Sequence, residues 1–246
     1  MIRVHTLHGG EAAAAAAAGL VADAATARPE LVLGLPTGRT MVSFYAELAR
    51  RHRAGTLDLG RARGFNLDEL LLPPGHPASF RAFMERHAFG PTGLDRTRCD
   101  IPDPTADPAA ECRRYDRALA AAGPLDLVVL GIGADGHVAY NLPGPPHEGT
   151  HLVEVPDEVA ATLEPPVAPQ LRAITLGLGP LRAARHLVLI ATTVEKRDAV
   201  RALVEGPEDA AWPCSLLRGH PRFDLFLTPQ AAGVAPVATG HTVEAR

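Results

Sequence analysis

Two short apolar runs that do not alternate restrict this chain more than any other feature. Leu31-Val32-Leu33-Gly34-Leu35 carries no polar residue, and Leu125-Asp126-Leu127-Val128-Val129-Leu130 carries one. A strand with one wet face alternates apolar and polar residues, whereas an unbroken run suits a strand covered on both faces, as in a parallel sheet. Each run ends in a turn of small residues, Pro36-Thr37-Gly38 and Gly131-Ile132-Gly133. A helix is expected over 40–53, where Val42, Tyr45, Ala46 and Leu48 follow helical spacing. Alanine propensity predicts another over 11–25, and further helices are expected over 79–87, 108–122 and 194–205. A brief strand ending at Phe65 and strands over 173–178, 186–191 and 223–227 complete the rhythm. Strand, loop and helix in repetition predict the α/β class: a doubly wound, mostly parallel sheet with helices on both faces, Rossmann-like.

The 246 residues, 46% of them hydrophobic, suffice for one large α/β domain. One domain is expected over 1–229, followed by an irregular tail over 230–246 that carries no periodicity. The Pro-rich, polar segment 144–169, with a strand at 152–155 and a short helix over 157–163, reads either as a cover over a site or as a plain surface excursion. A net charge of −4 argues against nucleic acid as a partner, because polyanion binding needs a basic surface. Cys99, Cys112 and Cys214 are scattered, without metal-ligand spacing, so neither a disulfide framework nor a zinc site is expected. Met1-Ile2-Arg3-Val4-His5 lacks the charged and apolar regions of a secretory leader, and the Ala12–Ala18 run is too short to span a bilayer. No membrane association is expected, and the expected compartment is the cytoplasm.

Three loops follow the ends of expected strands, which is where ligands bind in open α/β sheets. In the first, Gly34-Leu35-Pro36-Thr37-Gly38-Arg39-Thr40, a turn opens a helix, presenting unpaired N–H groups and a positive dipole end to an anion. Thr37 and Thr40 add hydroxyls, and Arg39 adds a two-pronged cation. The same stretch is equally a strand–helix turn with a capping threonine. In the second, Phe65-Asn66-Leu67-Asp68-Glu69, adjacent carboxylates can supply a base if the pocket is dry, but alone they more readily cap the next segment. The third, running from Leu130 to Asn141, holds three glycines with Asp135 and His137 two residues apart. An imidazole oriented by a carboxylate is a proton-transfer pair, and here that reading is favoured over an exposed histidine on a Gly-rich turn. Lys196, at the start of the helix after the 186–191 strand, can add charge to the same rim.

Taken together, these loops resemble the glucosamine-6-phosphate deaminase/isomerase family, whose relatives include the 6-phosphogluconolactonases. Leu33-Gly34-Leu35-Pro36-Thr37-Gly38, Phe65-Asn66-Leu67-Asp68-Glu69, His76-Pro77-Ala78-Ser79-Phe80 and Gly133-Ala134-Asp135-Gly136-His137 follow the family's order and spacing. So do Val204-Glu205-Gly206 and Cys214-Ser215-Leu216 with His220-Pro221. The resemblance implies a phosphorylated amino-sugar substrate, no metal or organic cofactor, and either a monomer or a homo-oligomer. It places ring opening on His137 with Asp135 as orienting carboxylate, and proton transfer between C2 and C1 on Asp68. The phosphate falls on Thr37, Gly38 and Thr40, with Lys196 matching a family lysine at that site.

Three departures accompany the likeness. Family deaminases commonly read Asn-Glu-Pro after the histidine loop, where this chain has Asn141-Leu142-Pro143. Leucine cannot hold a proton, and an assisting acid–base group contributes on the order of 10²–10⁴ in rate. The family's phosphate-binding arginine in the cover segment has no match between Val155 and Pro169, and Arg39 stands where a second glycine is usual. Arg39 either replaces that lost cation or narrows the pocket for another anion. Two alternatives to a deaminase follow: a lactone hydrolase, in which His137 activates water, and a sugar-phosphate sensor without turnover. The lactonase motif commonly reads Asp-Glu-Arg where this chain has Asp68-Glu69-Leu70.

Overall fold

The computed structural model describes residues 2–233 and 242–244. Its strands are β1 (Ile2–Thr6), β2 (Val32–Leu35), β3 (Arg63–Asn66), β4 (Asp68–Leu70), β5 (Cys99–Asp100), β6 (Leu127–Leu130), β7 (His151–Glu154), β8 (Arg172–Thr175), β9 (Leu187–Ala191), β10 (Phe223–Leu227) and β11 (Thr242–Glu244). Its helices are α1 (Gly10–Ala27), α2 (Arg39–Arg53), α3 (Phe80–His87), α4 (Pro108–Ala122), α5 (Asp157–Ala160), α6 (Leu178–Ala183), α7 (Arg197–Val204) and α8 (Pro229–Ala232). The large sheet runs β11-β1-β10-β9-β6-β2-β3-β5, parallel throughout except for β11. From β2 the chain moves outward through β3 to β5, then returns to the other side of β2 at β6. The strand order therefore reverses between β2 and β6, and a crevice opens at their carboxyl ends.

The unbroken apolar runs are explained by residues serving two cores in alternation. In β6, Val128 and Leu130 face one core with Tyr115, Leu181 and Leu203, while Leu127 and Val129 face the other with Ala17, Phe44 and Leu48. Strand β9 divides likewise, with Leu187 and Leu189 on one side and Val188 and Ile190 on the other. The alanine run supplies small buried faces, since Ala13, Ala14, Ala17 and Ala18 are fully enclosed. The one polar residue in the second run, Asp126, accepts the Val32 N–H at 2.8 Å and pairs with Arg28 at 2.7 Å.

Three sequence expectations change, and one strand is added. Residues 172–175 do not join the parallel sheet; β8 is the middle strand of a small antiparallel sheet, β4-β8-β7. Asp68–Leu70, expected as loop, is the strand that pairs with β8. Strand β1, for which the sequence carries no turn signal or long run, pairs with β10. In the stretch expected to be irregular, α8 forms and β11 pairs antiparallel with β1; the rest of that stretch beyond Gly233 lies outside the described residues. Among the described residues no helix is long and apolar enough to cross a membrane.

At the end of the sheet opposite the crevice, Asp224 (2% exposed) joins three elements. It accepts from Arg3 Nη2 at 2.5 Å and contacts His5 Nε2 at 2.7 Å and His186 Nε2 at 2.6 Å. Burial raises its pKa, but these partners more than offset that and hold the carboxyl below its ordinary value. A depressed carboxyl adds stability above the unfolded-state pKa and loses it as pH falls through the folded one. Asp224→Asn is expected to lower stability at pH 7 by about 1.5–3 kcal/mol in urea unfolding, the range for hydrogen bonds to a charged group.

Candidate active site

The carboxyl ends of β2, β3, β6 and β9 surround a cleft of about 800 Å³. Thr37, Gly38, Arg39, Thr40, Asp68, His137 and Lys196 all stand in its wall, brought together from four loops. Asp135 is not in the wall; it sits beside His137, 2.7 Å from the ring.

The first loop leaves the start of α2 open rather than closing it with a threonine cap. The residue preceding α2 is Gly38, at φ +106°, a region that side chains rarely adopt, and no side chain caps the helix. The Arg39 and Thr40 N–H groups of this 15-residue helix therefore stay available at its positive end, while that of Met41 donates to Gly38 O at 2.9 Å. The Tyr45 hydroxyl donates to Pro36 O at 2.8 Å and pins the loop from inside the core. Arg39 and Lys196 are the cationic wall residues besides His137, and among the described residues Arg39 has no ion-pair partner. Burial lowers the Lys196 pKa; Asp135 and Glu195 oppose the shift and Arg39 adds to it. Lys196 lies in a 3-10 turn, Val194–Lys196, just ahead of α7 rather than within the expected helix.

The second loop separates its two carboxylates by function. Glu69, fully buried, accepts from the backbone N–H groups of Leu70, Phe80 and Arg81, each at 2.8 Å, and so anchors the start of α3. Capping is therefore the correct reading for Glu69 and not for Asp68. Strand β4 directs successive side chains to opposite faces, and Asp68 joins the cleft wall at 6% exposure. Burial, with the neighbouring Glu69 charge, pushes the Asp68 pKa up to about 8. A carboxyl with this pKa is mostly protonated at neutral pH and becomes a proton acceptor as pH approaches about 8.

The third loop folds tightly around its histidine. His137 Nδ1 approaches Asp135 Oδ1 to 2.7 Å, off the axis of a hydrogen bond, while the His137 backbone N–H donates to that oxygen at 3.2 Å. Burial raises the Asp135 pKa, but the His137 contacts more than offset it, so Asp135 is held below its ordinary value. Gly133 permits this pairing: a Cβ there would lie 2.2 Å from His137 Nδ1 and 2.4 Å from Asp135 Oδ1. Leu142 stands outside the cleft wall, partly buried against the apolar cluster of the small sheet that contains Leu70, Phe80 and Tyr140. Sequence reasoning missed Phe80 and Tyr140, which line the cleft, since stacking of rings 60 residues apart leaves no local signal. From the 144–169 segment, Val159, Thr162 and Leu163 reach the wall, so this segment does cover the cleft. Among the described residues no cluster of three His, Cys, Asp or Glu side chains is placed to hold a metal.

A doubly wound α/β protein whose open helix start, buried carboxyl and imidazole share one cleft is the class that fold and cleft define. The chain matches the family of glucosamine-6-phosphate isomerases and 6-phosphogluconolactonases over residues 9–225. It is 36% identical over 241 residues to a glucosamine-6-phosphate deaminase of Rhodopirellula baltica, covering 95% of this chain and 96% of that one. It is 39% identical over 238 residues to a glucosamine-6-phosphate deaminase of Streptomyces avermitilis, covering 94% and 90%. A monomeric glucosamine-6-phosphate deaminase of known structure superposes with a TM-score of 0.89 at 30% identity, covering 95% of this chain and all of that one. A 6-phosphogluconolactonase from Leishmania guyanensis shares the fold at a TM-score of 0.76, with 21% identity over 96% of this chain and 100% of that one. The protein belongs to the glucosamine-6-phosphate isomerase/6-phosphogluconolactonase family.

The two neighbouring carboxylates respond oppositely to neutralisation. Glu69→Gln is expected to destabilise the fold by about 1.5–3 kcal/mol, because three backbone donors lose a charged acceptor. Asp68 holds its proton in the fold up to about pH 8 but ionises near 3.8 in the ordinary state, so stability drains as pH rises between those values. Asp68→Asn is therefore expected to be about 1 kcal/mol or more stabler than the parent at pH 8, by urea unfolding.

Proposed function

We propose that this chain is a cytoplasmic, single-domain enzyme that converts glucosamine 6-phosphate and water to fructose 6-phosphate and ammonia. One observation carries the proposal: a single cleft holds an uncapped helix start with two cations, a buried basic carboxyl and an imidazole–carboxylate pair. The first-turn N–H groups of α2, with Thr37, Gly38 and Thr40, seat the phosphate, and Arg39 and Lys196 balance its charge. Fixing the phosphate leaves the C1–C2 end of the sugar to the proton-transfer groups.

The chemistry needs proton movements and one water. His137 takes the proton of the O1 hydroxyl and delivers one to the ring oxygen, the C1–O5 bond breaks, and a C1 aldehyde forms. Asp135 keeps the imidazole in place and stabilises its charged form. Asp68, as carboxylate, then removes the C2 proton while O1 gains one from solvent, leaving an enolamine across C1 and C2. Returning its proton to C1, Asp68 produces an iminium at C2. Water adds to C2, the C–N bond breaks, and ammonia and a proton leave with a C2 ketone remaining. Leu142 takes no part in any of these transfers, so ring opening rests on the Asp135–His137 pair.

A coupled assay should detect ammonia release from glucosamine 6-phosphate, and Asp68→Asn should abolish it while leaving ligand affinity within about threefold. Retained turnover in that variant would remove Asp68 from proton transfer. Because the base form of Asp68 is populated only as pH approaches about 8, kcat/KM is expected to climb with pH up to that region. A flat profile from pH 6 to 9 would contradict the assignment.

Arg39 supplies the cation that the cover segment, lacking any Arg or Lys between Val155 and Pro169, does not. Arg39→Ala should weaken sugar-phosphate binding about ten- to a hundredfold, as befits a charge-assisted contact to phosphate. Unchanged affinity by calorimetry would reject this compensation.

A further inference from the structure

The catalytic imidazole is the end of a column of rings. Phe80 and Tyr140 stack with centroids 6.0 Å apart and planes at 11°, and Tyr140 and His137 stack at 6.0 Å and 14°. Tyr140 is 6% exposed, lines the cleft, and is held by its backbone N–H, which donates to Thr175 Oγ1 at 3.0 Å. Just before it, Ala139 has φ +50°, a left-handed conformation that a non-glycine residue holds only when its surroundings enforce it. The loop thus accepts backbone strain at the point where Tyr140 is aimed.

The ring is fixed but the hydroxyl is idle. Among the described residues the Tyr140 hydroxyl makes no hydrogen bond, and it is not one of the buried polar atoms left without a partner, so it is reachable from the cleft that its residue lines. Burial and the nearby Asp68 carboxyl raise its pKa, so the phenol stays protonated as a donor across the neutral range. Leu142, two residues on, has no polar side-chain atom and stands outside the wall. The Tyr140 hydroxyl is therefore the polar side chain that this end of the loop offers to the cleft.

We propose that the Tyr140 hydroxyl donates a hydrogen bond to a sugar oxygen at the end where His137 and Asp68 act, making Tyr140 a specificity-determining residue. The assignment rests on the sugar-phosphate reading above. It commits the cleft to a ligand with an oxygen acceptor at the carbon end, beyond the phosphate. Such a contact discriminates strongly, because a ligand without the acceptor leaves the phenol unpaired.

Tyr140→Phe keeps the column and removes only the hydroxyl. Parent and variant would be titrated by calorimetry with 2-amino-2-deoxyglucitol 6-phosphate, an open-chain amino alcohol that cannot isomerise, and with inorganic phosphate. The expected result is affinity for the amino alcohol about tenfold or more weaker in the variant, with phosphate affinity unchanged. Ammonia release should show a fall in kcat/KM of similar size. Equal affinity for the amino alcohol overturns the role of the hydroxyl while leaving the deaminase reading intact. Parallel loss of phosphate affinity also overturns it, since the whole cleft has then changed. A parent that binds phosphate alone and releases no ammonia overturns the deaminase reading, and this contact with it.

Discussion

Burial of β2 and β6 on both faces is the constraint from which the rest follows. Their side chains are committed to two apolar cores, so neither strand can present a polar group from its middle. Chemistry is left to the loops at their carboxyl ends, where the strand order reverses and neighbouring connections diverge. The same burial gives those loops a rigid base. Pro36 is held by Tyr45 from within the core, and the histidine loop hangs directly from β6.

Around the cleft, environment rather than residue type sets the state of three carboxylates. Glu69 is buried but meets three backbone donors, which makes it a structural anchor. Asp68 is buried without such donors and is left basic. Asp135, half-exposed beside an imidazole, is held acidic. Two neighbouring acidic groups with pKa values driven apart are the usual arrangement where one must orient and another must accept a proton. The isolation of Asp68 costs stability, and the surrounding apolar packing, including the small sheet that carries it, sustains that cost.

The small antiparallel sheet also ties the cover to the floor of the cleft. Strand β8 pairs on one side with β4, which bears Asp68, and on the other with β7, which leads to α5 and the wall residues Val159 and Thr162. Thr175 sits opposite Asp68 in the ladder and accepts from the Tyr140 N–H, so Asp68, the ring column and the cover share one support. The cover brings apolar and hydroxyl groups but no cation, which leaves positive charge on the opposite rim at Arg39 and Lys196.

The sequence by itself determined the α/β class, the strand–loop–helix rhythm and the turns after β2 and β6 that carry residues 37–40 and His137. Those properties are local: unbroken apolar runs, turn residues and a positive-φ glycine follow from a few neighbouring side chains. The family resemblance named Asp68 over Glu69, but only the tertiary structure gave the physical reason that Asp68 is the free acid, since that depends on backbone donors at Phe80 and Arg81 and on burial by distant elements. It likewise decided that residues 172–175 leave the main sheet, that Leu142 turns away from the cleft, and that Phe80 and Tyr140 back the imidazole. Such facts arise from pairings between segments far apart in the chain, where short-range spacing carries no record of the partner.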